Sequence, residues 1–297
     1  MAQTYNKAGT TVGSHGPLSA DEVASVAIKL KELVANNPDL VLPERSFMED
    51  EQEDIVWRFG APPDYTVANY AFATGKTKAH APGSLEMIVE NLVKTWEMER
   101  SHKSDPTQHK TVDQERFSIG ANGGKMFNNL EANKVGNYNL LLDTADKALY
   151  DAEATSWDES HEMFGDAFAA FPWELLEVFS GPPTVAFTWR HWGTFTGSYT
   201  SPSGKKNAGK GELVELFGFG MATVNENLQL CECHFYYDAN SFLEVLQGTK
   251  SAEESGAKTL VGPLAPAIGC PVQTFRGSIM DKFRGIIAPT RAPITQK

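Results

Sequence analysis

The sequence predicts an α+β fold in which helices come first and pack on one face of a mostly antiparallel sheet. Between residues 20 and 171 the apolar residues recur mainly at helical spacing, and from 172 to 237 they mainly alternate with polar ones. Short turns separate the later strands, which favours antiparallel neighbours and places the helices together on one face. We expect four to six strands between residues 110 and 240.

Apolar stripes with N-terminal caps predict the main helices. Ser19 and Glu22 have the spacing of a capping box, and so do Ser156 and Glu159. Asn37-Pro38 ends the first helix. The predicted main helices cover residues 20–36, 84–101 and 156–170, and weaker helices cover 129–142 and 241–247.

Alternating stretches predict the strands. Gly181-Pro182-Pro183 and Asn225-Glu226-Asn227 have the composition of turns between them. Residues 197–211, rich in Gly, Ser and Lys, are predicted to form a loop. The predicted strands cover 172–180, 184–196, 212–224 and 228–237, with a further strand near 116–119.

The change in periodicity divides the chain into three parts. We predict an N-terminal extension with one helix (1–54), a domain (55–248) and an extended C-terminal arm (249–297). The arm is low in periodicity, contains many Pro and Gly residues, and carries five basic residues after Cys270. Because such an arm cannot fold alone, we expect it to lie on a partner surface or on the domain itself. The predicted assembly is a homodimer in which the arm is buried on the sister subunit.

Composition and charge exclude several classes of protein. The 297 residues are 41% hydrophobic, which is enough for a core, and three cysteines do not make a disulfide framework. The net charge of −12 repels nucleic acid and anionic membranes, and no apolar run reaches the roughly 18 residues of a membrane span. The first residues contain no segment typical of a secretory signal, so we expect a cytoplasmic protein without nucleic-acid or membrane partners.

Several strings in the sequence resemble the plant pathogen-related protein family. The strings are residues 55–63 (IVWRFGAPP), 94–103 (KTWEMERSHK), 159–164 (ESHEMF), 180–193 (SGPPTVAFTWRHWG) and 235–238 (FYYD). They are distributed over about two-thirds of the chain, and the tryptophan-rich ones are the most specific.

Proteins of that family are similar to the SnoaL-like branch of the NTF2-like fold. The resemblance implies a cone, in which helices pack into the concave face of a strongly curved, mostly antiparallel sheet. It also implies a pocket for a small hydrophobic or aromatic metabolite. Proteins of this fold often pair through the outer face of the sheet, which agrees with the expected homodimer.

The first candidate residue is His161, which interrupts the aromatic stripe of the third main helix. A buried neutral imidazole beside Trp157 and Phe164 has a lowered pKa and can act as a base. The alternative is a core histidine hydrogen-bonded to a backbone carbonyl or a carboxylate. The hypothesis makes His161 catalytic and makes Trp157 and Phe164 ligand contacts.

The second group of candidates is Trp189-Arg190-His191-Trp192. Alternation places Trp189 and His191 on one face and the other two on the opposite face, without indicating which face is inside. His191 is a further catalytic candidate, Arg190 can bind a carboxylate, enolate or phosphate oxygen, and Trp189 and Trp192 can support a flat ligand. The alternative is that Arg190 stacks on Trp192 and pairs with a surface acid.

The third group consists of Asp238, Tyr236 and Glu177. A carboxylate on a strand often serves as the general base in this superfamily, which makes Asp238 a catalytic candidate. Tyr236 and Glu177 are candidate ligand contacts. The alternative for Asp238 is to cap the helix that follows it.

Cys231, Cys233 and His234 lie close together in the sequence but do not predict a metal site. On a strand the two cysteines share a face and His234 points away, and no second cluster completes a tetrahedron. Two packed thiols are the expected structure.

The sequence leaves three functions open. The first is a cofactor-free lyase, isomerase or cyclase that acts on a small hydrophobic metabolite by general acid–base chemistry. The second is a non-catalytic protein that binds such a ligand in a stress or defence context. The third is a dimeric interaction module, for which we expect a cone plugged by side chains.

Overall fold

The computed structural model describes residues 18–45 and 54–253. The helices in this part of the chain are α1 (Ala20–Asn36), α2 (Thr66–Gly75), α3 (Leu85–His102), α4 (Asn129–Val135), α5 (Asn137–Leu141), α6 (Trp157–Gly165) and α7 (Ala239–Leu246). The strands are β1 (Ser118–Ala121), β2 (Phe127–Asn128), β3 (Trp173–Ser180), β4 (Thr184–Phe195), β5 (Ser198–Thr200), β6 (Lys206–Ala208), β7 (Glu212–Val224) and β8 (Leu230–Tyr237).

Six strands form one curved sheet in the order β2-β1-β8-β7-β4-β3, and β5 and β6 form a separate hairpin. Neighbouring strands of the sheet are antiparallel except β1 and β8, which are parallel. The predicted α+β fold, with helices packed on the concave face of a mostly antiparallel sheet, is confirmed. The capping boxes that predicted the first and third main helices are present at Ser19/Glu22 and Ser156/Glu159.

Four local predictions were wrong or incomplete. Helix α2 was not predicted, and the loop predicted at 197–211 contains the β5–β6 hairpin. The helix predicted at 129–142 is divided into α4 and α5 at Gly136, whose φ of +86° interrupts it. Helix α6 ends at Gly165 rather than near 170, because Phe168 already forms a β-bridge with Phe195.

Helix α1 lies against α2 and has no buried residue. The domain boundaries at residues 54 and 248 therefore stay predictions. Most of the predicted arm, 249–297, lies outside the described residues.

The inner face of the sheet is set by large side chains of β4 lying across glycines of β7. Trp189 is the register partner of Gly218, and Phe187 is the partner of Gly220. A Cβ atom added at either glycine would lie 2.2 Å from Trp189 Cζ2 or 2.5 Å from Phe187 Cζ, inside van der Waals contact. The absence of a side chain at Gly218 and at Gly220 therefore lets both rings pack directly against the β7 backbone.

Strand β3 forms one edge of the sheet, and side chains of α3 satisfy its free backbone groups. Glu90 Oε2 accepts a hydrogen bond from Leu175 N (3.1 Å), and Lys94 Nζ donates one to Trp173 O (2.7 Å). Unpaired groups on an edge otherwise need water or another strand. The two contacts hold α3 beside the sheet.

Candidate functional site

A cavity of about 220 Å³ lies between the inner face of the sheet and the helices α2, α3, α5, α6 and α7. Its wall is mostly aromatic and aliphatic, with Phe72, Trp96, Phe164, Trp173, Trp189 and Phe235 among the lining side chains. Several polar side chains interrupt that wall, among them Lys94, Glu97, Tyr138, His161 and His191. An apolar enclosure with a few converging polar groups is the usual form of a small-molecule site.

His161 lies on α6, and its ring forms part of the cavity wall. Its Nδ1 lies 2.7 Å from Trp157 O, which can only accept, so Nδ1 carries the hydrogen and Nε2 is the acceptor of the ring. Trp157 stacks on the imidazole with the ring centroids 3.5 Å apart. Burial lowers the pKa of His161 to about 3. The ring is therefore neutral at pH 7 and accepts a hydrogen bond more readily than a proton.

His191 lies on the inner face of β4 and is held in a similar way. Its Nδ1 lies 3.1 Å from Phe171 O, and its ring stacks on the Phe171 ring with the planes 5° apart. Burial lowers the pKa of His191 to about 4. Trp189 is next to it on the same face, and its buried Nε1 has no hydrogen-bond partner among the described residues.

Lys94 brings an amine to the cavity wall from the middle of α3. Its Nζ lies 3.7 Å from the centre of the Phe72 ring and 3.8 Å from Glu90 Oε1. Burial lowers the pKa of Lys94 to about 7, although the Glu90 charge acts in the opposite direction. Near neutral pH a large fraction of the side chain is therefore an uncharged amine.

Glu97 lies one turn further along α3 and brings a carboxyl group to the same cavity. Its Oε2 accepts a hydrogen bond from the Tyr65 hydroxyl (3.1 Å), and the Arg45 guanidinium lies 3.5 Å from the centre of the Tyr65 ring. Burial raises the pKa of Glu97 above its ordinary value, although Arg45 lowers it. A carboxyl with a raised pKa is a stronger base than an exposed one.

The predicted ligand contacts Trp157, Arg190 and Trp192 lie outside the cavity. Trp157 stacks on the His161 ring but does not itself line the cavity. Arg190 and Trp192 are on the outer face of β4, where Arg190 pairs with Glu174 (2.7 Å) and Glu215 (2.8 Å) and stacks 4.3 Å from the Trp192 ring centre. The stacking on Trp192 agrees with the structural alternative for Arg190, but its partner Glu174 is buried and is not a surface acid.

Asp238, Tyr236 and Glu177 also lie away from the cavity. Asp238 Oδ1 accepts a hydrogen bond from Ser241 N (2.9 Å) and so caps α7, which is the structural alternative for that residue. Tyr236 is 42% exposed on the outer face of β8, and Glu177 is exposed on β3. The structure brings together only His161, His191, Phe164 and Trp189 from the predicted set.

Lys94 and Glu97, the two charged groups that α3 supplies to the cavity, were not among the predicted site residues. One signal was available, because Glu90, Lys94 and Glu97 follow helical spacing beside the apolar stripe of the same helix. Both missed residues also lie in the string 94–103 that carries the family resemblance. A polar row beside an apolar stripe normally faces solvent, so the pattern alone did not single them out.

The cysteine-rich segment of β8 has the packing expected for two thiols. Cys231 and Cys233 are free and buried, while His234 lies on the opposite face beside Glu232. Within residues 18–45 and 54–253, no group of three or more His, Cys, Asp or Glu side chains is placed to hold a metal ion. None of the helices described is both long and apolar enough to cross a membrane.

A cavity with an aromatic wall, between a curved sheet and its helices, defines an α+β protein with an interior space of small-molecule size. The chain belongs to the pathogen-related protein family: it is 36% identical over 237 residues to a curated protein of that name from Hordeum vulgare. The match covers 77% of this chain and 93% of the barley protein, whose name states no reaction or ligand. A scan against protein-family models gives no match.

Solved structures with some likeness to the chain include NTF2-like and SnoaL-like proteins. One, an NTF2-like protein from Burkholderia thailandensis, has 12% identity and a TM-score of 0.29, covering 58% of this chain and 99% of that one. Another, from Jannaschia sp. CCS1, is named for the SnoaL-like polyketide cyclases and has 12% identity and a TM-score of 0.30, covering 57% of this chain and 97% of that one. Similarity this low does not extend to activity.

Proposed function

We propose that the protein binds one small, mostly apolar organic molecule that carries a carbonyl or hydroxyl group, and that it moves a proton on this molecule. The reaction class is that of a lyase, isomerase or cyclase in which protein side chains serve as acid and base. The observation that carries the proposal is the convergence of several polar side chains, Glu97 among them, on one aromatic cavity.

The size of the cavity limits the ligand. A volume of about 220 Å³ is roughly one and a half times that of an engineered cavity that binds benzene. We therefore expect a ligand of about ten non-hydrogen atoms, such as a substituted single ring. The aromatic wall favours a flat or ring-shaped molecule over a chain of the same size.

Glu97 is the proposed base, and this changes the role of the two histidines. With pKa values of about 3 and 4, His161 and His191 are weak bases at neutral pH and serve as hydrogen-bond acceptors for the ligand. Tyr138 supplies a hydroxyl whose pKa burial raises, so it remains a donor toward a developing enolate oxygen.

One observation favours a second function, non-catalytic binding of the same kind of ligand. Both histidines donate Nδ1–H to backbone carbonyls and have lowered pKa values, which suits recognition of a ligand hydroxyl without proton transfer. An interaction module with a plugged cone is less favoured, because the cavity is unfilled by the described side chains. Proton exchange on a bound ketone distinguishes the first two functions.

The test uses cyclohexanone in D₂O, with deuterium incorporation beside the carbonyl measured by proton NMR. The base removes a proton from the carbon next to the carbonyl, and the enolate then takes up a deuteron from solvent. We expect the wild-type protein to accelerate the exchange and Glu97→Gln to reduce that acceleration by about 10²–10⁴-fold. Glu177→Gln, at an exposed carboxylate, is the matched control and should exchange at the wild-type rate.

Two results would contradict the proposal, one for catalysis and one for the role of Glu97. If wild-type protein binds cyclohexanone but exchange proceeds at the solvent rate, the binding function replaces the catalytic one. If Glu97→Gln and Glu177→Gln reduce the exchange equally, the cavity carboxyl is not the base.

A further inference from the structure

We infer that Lys94 is an amine nucleophile that captures carbonyl-bearing ligands of the cavity as a covalent imine. The inference rests on the proposed function in one respect, that the cavity admits a small oxygen-bearing molecule. It adds the substrate class, aldehydes and reactive ketones, and a covalent step that proton transfer by Glu97 does not require.

The Lys94 amine lies at the cavity wall, against two aromatic rings. Lys94 lines the cavity together with Phe72 and Trp173, and its Nζ lies 3.7 Å and 5.7 Å from the centres of those two rings. Its side chain is only 7% exposed, so the amine reaches the ligand space and not bulk solvent. A carbonyl group held against these rings lies within reach of Nζ.

The Lys94 amine donates one hydrogen bond to the backbone and has no carboxylate close to it. Nζ donates to Trp173 O at 2.7 Å, which uses one hydrogen and leaves the lone pair of a neutral amine unengaged. The nearest carboxylate oxygen, Glu90 Oε1, is 3.8 Å away, and the other Glu90 oxygen is occupied by Leu175 N. Among the described residues, no carboxylate therefore forms a close ion pair with this amine.

The charges around Lys94 support the uncharged form. Burial is the largest influence and lowers the pKa, as do Arg45 and Lys76, while Glu90 and Glu174 raise it, with a net pKa of about 7. The neighbouring cavity groups Glu97 and His191 also feel the Lys94 charge. Desolvation of a lysine in an apolar pocket is a known route to a nucleophilic amine.

The reaction balances without an oxidant or a cofactor. The neutral amine adds to the carbonyl carbon, forming a C–N bond, and the proton released from nitrogen passes to the carbonyl oxygen to give a carbinolamine. An acid then protonates that hydroxyl group, the C–O bond breaks, and water leaves the protonated imine. Glu97 lines the same cavity and is the proposed source of that proton, because a carboxyl group with a raised pKa can serve as an acid as well as a base.

Lys94 also has a structural role, because it ties α3 to the edge strand. Lys103 provides the matched control, since it is also buried, follows the last residue of the same helix and does not line the cavity. Its Nζ is held by Glu99 Oε1 and Gln108 O, both at 3.1 Å. A lysine that serves only packing should behave like Lys103 toward a carbonyl reagent.

The test traps the imine with benzaldehyde and cyanoborohydride at pH 7, followed by intact-protein mass spectrometry and peptide mapping. Hydride transfer to the imine carbon leaves a stable adduct whose mass is that of the aldehyde less one oxygen atom. We expect one dominant adduct at Lys94, formed on the order of 100-fold faster than at surface lysines, because those are almost fully protonated at this pH. Benzyl alcohol, which has the same ring but no carbonyl, should slow the labelling by competition.

Variants separate chemistry from folding. Lys94→Arg keeps a donor for Trp173 O and Lys94→Met keeps the length of the side chain; both should lose the dominant adduct while retaining cooperative thermal unfolding. Lys103→Arg should be labelled as fast as wild type. Labelling spread over surface lysines, or equal labelling in Lys94→Arg, overturns the inference. Absence of an adduct in protein that binds benzyl alcohol overturns it too and leaves the proposed function standing, whereas binding of neither compound removes both.

Discussion

The indole ring of Trp189 lies directly across Gly218 on the neighbouring strand. A Cβ atom at position 218 would be 2.2 Å from Trp189 Cζ2, so no other residue fits there without displacing the ring. Trp189 is 3% exposed and lines the cavity. The shape of the ligand site therefore depends on a residue that has no side chain.

Gly218→Ala should push the Trp189 ring toward the cavity. We expect the free energy of unfolding to fall by about 1–3 kcal/mol, as for other overpacked cores, and ligand binding to weaken at the same time. Chemical denaturation and a ligand titration measure the two effects. Gly181→Ala is the control, since a Cβ there meets only Leu85 Cδ2 at 3.5 Å; equal effects of the two substitutions would contradict this account.

The buried histidines should make the protein sensitive to acid. Burial lowers the pKa of His102 and His161 to about 3 and that of His191 to about 4, whereas an unfolded histidine has a pKa of about 6.5. Between these values the unfolded chain binds protons that the folded chain does not. The contribution is therefore fully present above pH ~6.5 and is lost as the pH falls toward 3.

Replacing one of these histidines should flatten the pH dependence. Between pH 6 and 4, each substitution should lower the slope of the unfolding free energy against pH by up to about 1.4 kcal/mol per pH unit. His161→Gln should also cost about 1 kcal/mol at pH 7 through the lost hydrogen bond to Trp157 O. Urea denaturation from pH 4 to 8 gives both quantities; parallel curves for wild type, His161→Gln and His191→Gln would refute the assignment.

Asp238 should affect stability and not the chemistry of the site. Asp238→Ala removes the cap of α7 and should cost about 1 kcal/mol, while Asp238→Asn, which also caps, should be nearly neutral. Proton exchange on cyclohexanone should be unchanged in both, when measured well below the unfolding temperature. Loss of exchange in Asp238→Asn would restore the catalytic role predicted from the sequence.

The outer face of the sheet is a candidate interface for the predicted homodimer. Phe219 and Tyr236 are register partners on β7 and β8 and are 37% and 42% exposed. We expect a dimer by light scattering at micromolar concentration, weakened by Phe219→Ser and not by Phe179→Ser at the end of edge strand β3. A wild-type monomer under these conditions would contradict the prediction.

The sequence predicted the fold well because caps and periodicity are local signals. The capping boxes at Ser19 and Ser156 each predict a helix from four consecutive residues. The alternation of apolar and polar residues in β4, β7 and β8 extends over eight to thirteen residues. It could not decide which face of β4 is inside, because that depends on cross-strand contacts. The inner face is the one on which Trp189 and Phe187 lie opposite Gly218 and Gly220, where there is space for their rings.

The site was harder to predict than the fold. His161 and His191 were found because a histidine stands out among aromatic neighbours, and both reach the cavity. Arg190 was a candidate for the same reason, but its two glutamate partners come from β3 and β7. Lys94 is the reverse case, since its burial comes from contacts with α2 and β3 that no local pattern encodes.

Ligand binding in the cavity is tested most directly by titrating benzyl alcohol into wild-type protein and into Ala68→Phe. Ala68 lines the cavity from α2, and Trp96, Trp173 and Trp189 in the wall report occupancy through their fluorescence. We expect saturable binding to wild type with a Kd of about 10 µM to 1 mM, the range for a ligand of this size, and none to Ala68→Phe, which fills the space. Non-saturable binding, or equal binding to the two folded proteins, would contradict the account.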